Sequence, residues 1–429
     1  MATRITEAEG AHTPHEDTDM SPCTLRRRAL PLLLAALPLA AMAADGPGPS
    51  LDLRYRYEHV EQDGLARNAD AHTLRARVGY LTPQWHGWSA LGEIDGVAHL
   101  GSDRFNDTRN GARAYPVVAD PDGAAVNQAL VRWAFGGGSA TFGRQRINLG
   151  NQRFVGGVGW RQNEQTYDAV RLQLAPLDRL TFDYTIIGRI HTIFGPDDGR
   201  FATRANPAKI DGRSHLLQAG LRIAPALSAT AYHYRLDLDG IAVSASAPLG
   251  TLSSHTTGLR LEGASGAWRY AAEIARQRDL GDNPWDLDSR YALGELGYQW
   301  RGTMFKAGYE SLGGGDGSGN RAFQTPLATK HAFQGWADVF LTTPAAGVVD
   351  RYVGATVPLG GGSLQAWYHD FSPERGGGDY GNEVDLSYAH AIPGVKGLNG
   401  LLKLARYRSD DATRTADTDK LWVQVQYTY

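Results

Sequence analysis

The sequence predicts an all-β protein: a transmembrane antiparallel up-and-down β-barrel of about 18 strands. Three observations lead to this prediction. The last nine residues, 421–429, alternate strictly between apolar and mostly polar side chains, as expected for a strand with one apolar face. Similar alternating segments of about nine to eleven residues, enough to cross a bilayer when tilted, recur from Ser50 onwards. Short and long connections alternate between them, which predicts short periplasmic turns and long extracellular loops.

The composition supports strands and excludes several other classes. The chain holds 52 Gly and 19 Tyr among 429 residues and has a mean hydropathy of −0.36, so no long apolar helix dominates. A net charge of −3 gives no sign of a nucleic-acid partner. The single Cys23 excludes a disulfide framework and a cysteine metal site.

The N-terminal region has the pattern of an export signal. Three arginines at 26–28 precede a short apolar run at 29–41 and a small-x-small site at Ala41-Met42-Ala43. The run is too short to span a bilayer as a helix. We therefore expect residues 1–43 to be a signal peptide and residues 44–429 to form a single barrel domain.

The residues before Met20 add nothing to this signal. We interpret residues 1–19 as a spurious extension and Met20 as the true start. Cys23 does not fit a lipoprotein signal, because the apolar run follows the cysteine instead of preceding it.

Eighteen strands are predicted along the mature chain. Their approximate bounds are 51–58, 73–80, 88–100, 128–135, 140–149, 167–175, 180–191, 217–223, 232–237, 257–263, 268–278, 289–300, 303–312, 348–357, 363–370, 383–390, 401–407 and 421–429. Tight turns are expected at 136–138, 176–178, 225–226 and 360–362, and long loops at 101–125, 151–166, 192–213, 239–252 and 313–346. A sandwich or a propeller has no reason to sort its connections in this way.

If the apolar face of each strand meets lipid, the other face lines an aqueous pore. Its predicted cations are Arg54, Arg56, Arg75, Arg77, Arg132, Arg171, Arg189, Arg222, Arg235, Arg260 and Arg269. Its predicted anions are Asp52, Glu58, Glu93, Asp95, Asp183, Glu262, Glu273, Glu295, Asp350, Glu383 and Asp385. The arginine fork suits carboxylate-bearing solutes. The alternative is that acids and arginines pair between strands and brace the wall.

Two stretches have an unusual concentration of arginine or aromatic residues. Residues 143–154 and 159–163 place four arginines among glycines, and their alternation fades after Leu149. We expect a strand followed by a loop that folds into the barrel and narrows it. The second stretch, 330–340, is too aromatic for an ordinary solvated loop.

These stretches carry a resemblance to a known family. Gly143-Arg144-Gln145-Arg146, Asn151-Gln152-Arg153-Phe154, Gly159-Trp160-Arg161-Gln162-Asn163, Tyr167–Arg171, His331–Asp338 and Tyr380–Leu386 together resemble the alginate-export family of outer-membrane porins. The resemblance covers about Ser50 to Tyr429. It implies an eighteen-stranded barrel whose arginine-rich constriction passes an anionic polysaccharide. The constriction residues it implies are Arg144, Arg146, Arg153, Arg161 and Arg171, joined by Lys330 and His331 from the large loop. We add Arg75, Arg77, Arg132 and Asp338 as lumen candidates.

No catalytic constellation or cofactor motif stands out, so an enzyme is not expected. Residues 313–320 weakly resemble a calcium loop, although a flexible loop tip explains them equally well. We expect an outer-membrane channel of a Gram-negative bacterium for anionic saccharides or alginate-like polyuronate. A general porin, or one specific for sugars or carboxylates, is the alternative. Outside the channels, the alternative is a barrel enzyme or an adhesin. The expected partners are outer-membrane lipid, the barrel-assembly machinery through the C-terminal strand, and a small hydrophilic or saccharide solute, with no nucleic acid.

Overall fold

The computed structural model describes residues 46–101 and 103–429. The predicted signal peptide, 1–43, and the proposed start at Met20 lie outside the described residues. No helix in the described part of the chain is long and apolar enough to cross a membrane.

The regular secondary structure of the described chain consists of eighteen strands and one short 3-10 helix, Lys330–Ala332. The strands are β1 Gly48–Gln62, β2 Ala69–Leu81, β3 Trp88–His99, β4 Gly123–Phe135, β5 Gly138–Gln145, β6 Thr166–Leu177, β7 Leu180–His191, β8 Lys209–Ala224, β9 Leu227–Leu236, β10 Ser254–Ser265, β11 Trp268–Asp279, β12 Asp288–Trp300, β13 Thr303–Gly313, β14 Gly347–Leu359, β15 Gly362–Ser372, β16 Gly381–Ala391, β17 Leu398–Ser409 and β18 Thr418–Thr428.

The sheet closes on itself. Every strand pairs antiparallel with its neighbours in the sequence, and β18 pairs with β1, with Val425 opposite Tyr55. The backbone N–H of Tyr429 donates to the carbonyl of Leu51 at 2.8 Å, so the last strand is not an edge. The predicted fold class and strand number are confirmed.

The connections are sorted between the two rims. Eight short connections lie at the rim that also holds the ends of β1 and β18, and several consist of only two residues. Nine connections lie at the other rim and include the long segments 100–122, 146–165 and 314–346. This is the arrangement of short periplasmic turns and longer extracellular loops. We call the two rims the turn rim and the loop rim.

The outer surface of the barrel is apolar in its middle and aromatic at the turn rim. Val78, Ile94 and Ile274 are each more than half exposed, as lipid-facing residues of an isolated chain are. Aromatic side chains follow at the turn rim, where Trp88 stacks on Trp133 at 5.7 Å between ring centroids. An apolar band bordered by aromatic residues is typical of a barrel that spans a membrane.

The predicted orientations of four side chains in β7 and β9 are wrong near the loop rim. Arg189 and Arg235 point outward, whereas Tyr232 and Tyr234 of β9 are buried in the lumen. In β7 an irregularity between Ile187 and Arg189 shifts the alternation by one residue. In β9 the apolar side chains face inward because a loop packs against them inside the barrel, as described below.

The structure also shortens one predicted strand. The sheet pairing of β5 ends at Gln145, whereas the sequence predicts a strand up to residue 149. The backbone N–H of Arg146 donates to the side-chain oxygen of Gln128 at 3.0 Å, and from there the chain turns into the lumen.

Candidate functional site

Two loops fold into the barrel and bind each other. The first inserted loop is residues 146–165, and the second inserted loop is residues 314–346. The backbone N–H of Gly156 donates to the carbonyl of Leu327 at 2.9 Å, and that of Thr329 donates to the carbonyl of Gln152 at 3.0 Å. The two loops therefore form one unit inside the wall, as expected for the first of them from its sequence.

Strand β1 holds the first inserted loop from one side. The guanidinium of Arg54 donates to the carbonyl of Gly159 at 3.0 Å, and that of Arg56 donates to the carbonyl of Trp160 at 2.5 Å. Arg161 of the loop forms an ion pair with Glu58 of the same strand at 3.0 Å. Alternating side chains of β1 thus bind three successive loop residues. They can do so because alternate residues of a strand lie on the same face, here the face toward the lumen.

The same loop reaches the opposite wall. Arg153 Nε lies 2.6 Å from Glu310 Oε1 of β13, and both side chains are at most 4% exposed. Strand β13 is eight strands from β5 in a ring of eighteen, so the loop crosses the barrel nearly along a diameter. Phe154 packs beside it against Tyr232 and Tyr291, at 5.4 and 5.2 Å between ring centroids. This packing explains why β9 turns its tyrosines inward.

The second inserted loop is fixed by a buried ionic cluster. His331 Nδ1 and Lys420 Nζ each lie 2.7 Å from Asp338, one on either carboxylate oxygen, and Arg161 Nη2 lies 3.2 Å from it. Burial raises the pKa of Asp338, but His331 and Lys420 outweigh that effect and hold it well below its ordinary value. The carboxylate therefore stays ionised and joins both loops to β18.

A lysine surrounded by tryptophans lies beside this cluster. Lys403 Nζ lies 3.7 Å from the ring centroid of Trp336, 4.4 Å from that of Trp160 and 5.4 Å from that of Trp422. It is also 2.7 Å from His331 Nε2. Aromatic faces stabilise a cation that is removed from water, so Lys403 ties the wall to both loops.

A third cluster joins the first inserted loop to β2 and β3. The carboxylate of Glu164 accepts from Arg146 Nη2 at 2.5 Å and lies 2.9 Å from Arg77 Nη1. Arg77 also pairs with Asp95 at 2.6 Å. Burial raises the pKa of Glu164, but the charges of Arg146 and Arg77 outweigh it, so its pKa is well below the ordinary value. These groups brace the loop against the wall.

Below this cluster, a cavity of about 380 Å³ opens toward the turn rim. Its polar lining includes Arg77, Arg146, Arg171, Asp52, Glu93, Gln128 and Asn148. A space of this size accommodates a small organic solute. The lining offers amide donors and the fixed positive potential of three arginines, each of which is already ion-paired with an acid.

Several lumen cations have no acidic partner among the described residues, and Arg132 and Lys330 are two of them. Arg132, on the lumen face near the turn rim, donates only to Ser139 Oγ at 3.3 Å. Lys330, half-buried in the second inserted loop, has no ion pair in the described part of the chain. Burial lowers the pKa of Lys330 to about 8, and the charge of Arg153 adds to this effect. Arg171 differs, since it pairs with Asp183 at 2.5 Å.

The structure places the other predicted site residues as follows. Arg75 lies in the wall and pairs with Asp52 at 2.7 Å. The predicted place of Arg144 in the constriction is wrong. Its side chain points outward, on the same face as the exposed Phe142, and forms an ion pair with Asp168 at 2.8 Å. The alternation of β5 decides this: Gln145, one residue later, is the inward side chain. Arg144 therefore takes no part in the lumen.

Several interior residues were missing from the predicted site. Lys403 and Lys420 lie on the lumen-facing parity of their strands, so the alternation that placed the arginines could also have found them. Glu310 is on the lumen parity of β13 in the same way. Glu164 lies in a loop, and no local signal marks it as the partner of Arg146 and Arg77.

Metal binding has only weak candidates in the described residues. His99, Asp107 and Asp122 bring ligand atoms within 4.8 Å of one another. Both ring nitrogens of His99 already lie within 2.9 Å of other oxygens, those of Asp103 and Asp120. In the calcium-like segment 313–320, Asp316 pairs with Arg375, and the loop stays only a prediction.

Searches for relatives of this sequence gave no matching family model and no matching curated protein. The resemblance to the alginate-export family therefore stays a prediction. Solved structures do match the fold. OpdO of Pseudomonas aeruginosa matches with a TM-score of 0.65 and 16% identity, over 90% of this chain and 98% of its own.

Two further structures match equally well. OccAB3 of Acinetobacter baumannii matches with a TM-score of 0.65 and 14% identity, over 89% of this chain and 99% of its own. OpdK of Pseudomonas aeruginosa, in a structure with vanillate, matches with a TM-score of 0.63 and 16% identity, over 90% and 100%. At these identities the likeness concerns the fold. A closed barrel with an apolar outer band is a bacterial outer-membrane protein, and the predicted location is confirmed.

Proposed function

We propose that this protein is a passive outer-membrane channel for small anionic solutes, with carboxylates as the preferred class. The observation that carries the proposal is the cavity beneath the inserted loops, whose lining includes Arg77, Arg146 and Arg171. Arg132 and Lys330 add charge that no described acid neutralises. A carboxylate crossing the lumen would meet this positive potential and the donors of Arg132 and Lys330 in place of the water that it leaves.

The size of the free space favours a small solute over a polysaccharide chain. The first inserted loop is anchored to β1 through Arg161 and to β13 through Arg153, so it crosses the lumen. A polymer needs a continuous passage of constant width, whereas a small solute needs only a series of sites. Because OpdK has been solved with vanillate, an aromatic monocarboxylate is a sensible first solute for this barrel.

The test is single-channel recording in a planar bilayer. We expect a preference for anions and a concentration-dependent block by vanillate or benzoate, with little block by uronate oligomers. Block by the oligomers with none by the small acids would instead favour the polyuronate channel expected from the sequence. A lack of anion preference would leave a general porin and overturn the proposed selectivity.

A matched pair of variants tests the role of the lumen charge. Arg132→Gln removes an unneutralised cation from the lumen, whereas Arg406→Gln removes one that is 69% exposed on the outer face. One charge about 4 Å from a permeating anion contributes about 1 kcal/mol in water-like surroundings. We therefore expect Arg132→Gln to lower the anion-to-cation permeability ratio about fivefold and Arg406→Gln to leave it unchanged.

A further inference from the structure

The outer face of the barrel carries a band of cations at the loop rim. The outer basic patch is the outward-facing set at the loop-rim ends of β8 to β12: Arg213, His215, His233, Arg235, His255, Arg276, Arg278 and Arg290. Strand register fixes this orientation. His233 pairs with Leu217, an exposed residue of the apolar band, and Arg276 lies two residues from Ile274, which is 64% exposed.

Much of the charge in this patch is not neutralised by the protein. Arg235 lies 3.4 Å from Asp237, and Arg276 pairs with Asp288. Arg213, Arg278 and Arg290 are exposed, and among the described residues no side-chain hydrogen bond or ion pair holds any of them. Three guanidinium groups therefore project from the wall without an ion pair, and Asp288, already paired with Arg276, is the acid that the register places opposite Arg278.

The strand register places basic side chains directly opposite each other. Arg276 faces Arg290 across β11 and β12, and both carry a full charge, whereas the imidazoles of His255 and His215 that face Arg278 and Arg235 are neutral at pH 7. Like charges in directly opposite positions destabilise a sheet. An external anion beside Arg276 and Arg290 would reduce this repulsion, so the register favours a site for an anion here.

The rest of the outer rim does not share this property. Arg351 faces Asp370 at 3.4 Å, and Arg408 pairs with Asp419 at 2.7 Å. His59 lies 2.8 Å from Asp70. On those strands the protein supplies its own anions, which makes the unneutralised patch a local feature of β8 to β12.

We propose that the outer basic patch binds the phosphorylated headgroup of a lipid in the outer leaflet. The patch directly adjoins the apolar band that includes Leu217, Leu259 and Ile274, so one molecule could place its acyl chains on the band and its phosphates on the arginines. Arginine binds phosphate through a planar fork of donors. The inference depends on the membrane location of the barrel and is independent of what the channel passes.

Native mass spectrometry of the detergent-solubilised full-length protein tests the proposal. The probes are diphosphoryl lipid A and the same lipid without its phosphates. The variant Arg213→Gln/Arg278→Gln/Arg290→Gln removes three unneutralised charges, and Arg351→Gln/Arg406→Gln/Arg408→Gln removes three from the other side of the rim. At about 1 kcal/mol per cation near an anionic surface, or about fivefold each, the first variant should bind the phosphorylated lipid about 100-fold more weakly.

The control variant should bind this lipid as the unmodified protein does, and the dephosphorylated lipid should bind weakly to all three. Equal binding of the two lipids, or equal loss in both variants, would overturn the proposal. Complete competition by inorganic phosphate at equal concentration would also overturn it, because it would indicate a free-anion site without a lipid contribution. Unchanged single-channel conductance verifies that both variants are folded barrels.

Discussion

The ion pair between Arg153 and Glu310 should hold the first inserted loop across the lumen, and its removal should widen the channel. Arg153 is 1% exposed and Glu310 4%, so Arg153→Met leaves a buried carboxylate without its cation. Breaking such a pair costs about 3–5 kcal/mol. Tyr291 and Gln334 still donate to Glu310 at 2.7 and 2.9 Å, so the lower end of the range applies.

A loss of about 3 kcal/mol changes the ratio of attached to detached loop about 150-fold. The eighteen-strand wall does not depend on this contact, so the barrel should remain folded while the loop leaves the lumen more often. Single-channel recording should show larger and noisier conductance steps, and limited proteolysis should cut residues 146–165 faster than in the unmodified protein.

The double variant Arg153→Met/Glu310→Gln provides the matched control. It removes both charges together, so the loop should stay attached across the lumen more often than in the single variant. The difference between the two variants measures the coupling energy of the pair in a double-mutant cycle. If Arg153→Met left both conductance and proteolysis unchanged, the loop would not be held by this pair. The reasoning about the crossing would then be wrong.

Three further predictions follow from the interior. The anion preference should fall as the pH rises through about 8, because Lys330 loses its proton there, and Lys330→Arg should flatten this profile in reversal-potential measurements. Trp160→Ala should cost about 3–5 kcal/mol and expose the first inserted loop to protease, whereas the lipid-facing Trp133→Ala should not change its cleavage rate. Because the pKa of Glu164 is depressed, its ion pairs stabilise the attached loop fully above the ordinary pKa of 4.5, and this stabilisation declines as the pH falls further. Glu164→Gln should therefore make loop release, measured by conductance, independent of pH in that range.

The wall of the barrel could be predicted from the sequence because it depends on local information. A period of 2 identifies the strands, and the alternation of connection lengths assigns them to two rims. The same rule failed at Tyr232 and Tyr234, because an apolar strand face can meet lipid or a loop packed inside the barrel. Nothing in the strand itself distinguishes these two surroundings.

The site was harder to predict, and for a different reason. Arg153 and Glu310 are 157 residues apart, and Arg161 and Glu58 are 103 apart, so neither pair leaves a local pattern. Arg144 shows the opposite case, since the exposed Phe142 two residues earlier could have placed it on the outer face. The resemblance put it in the lumen, and the strand alternation argues against that position.

The lumen cations differ in whether the protein occupies their donors, and this difference bears on selectivity. Arg56, Arg153 and Arg161 are buried and donate to loop carbonyls or to carboxylates, so their guanidinium groups are fixed in place and out of reach of a passing solute. Such a group contributes a fixed potential but no binding site. Arg132 and Lys330 keep free donors, so we expect both to contribute to solute selection, and replacing a buried arginine should alter the loops before it alters selectivity.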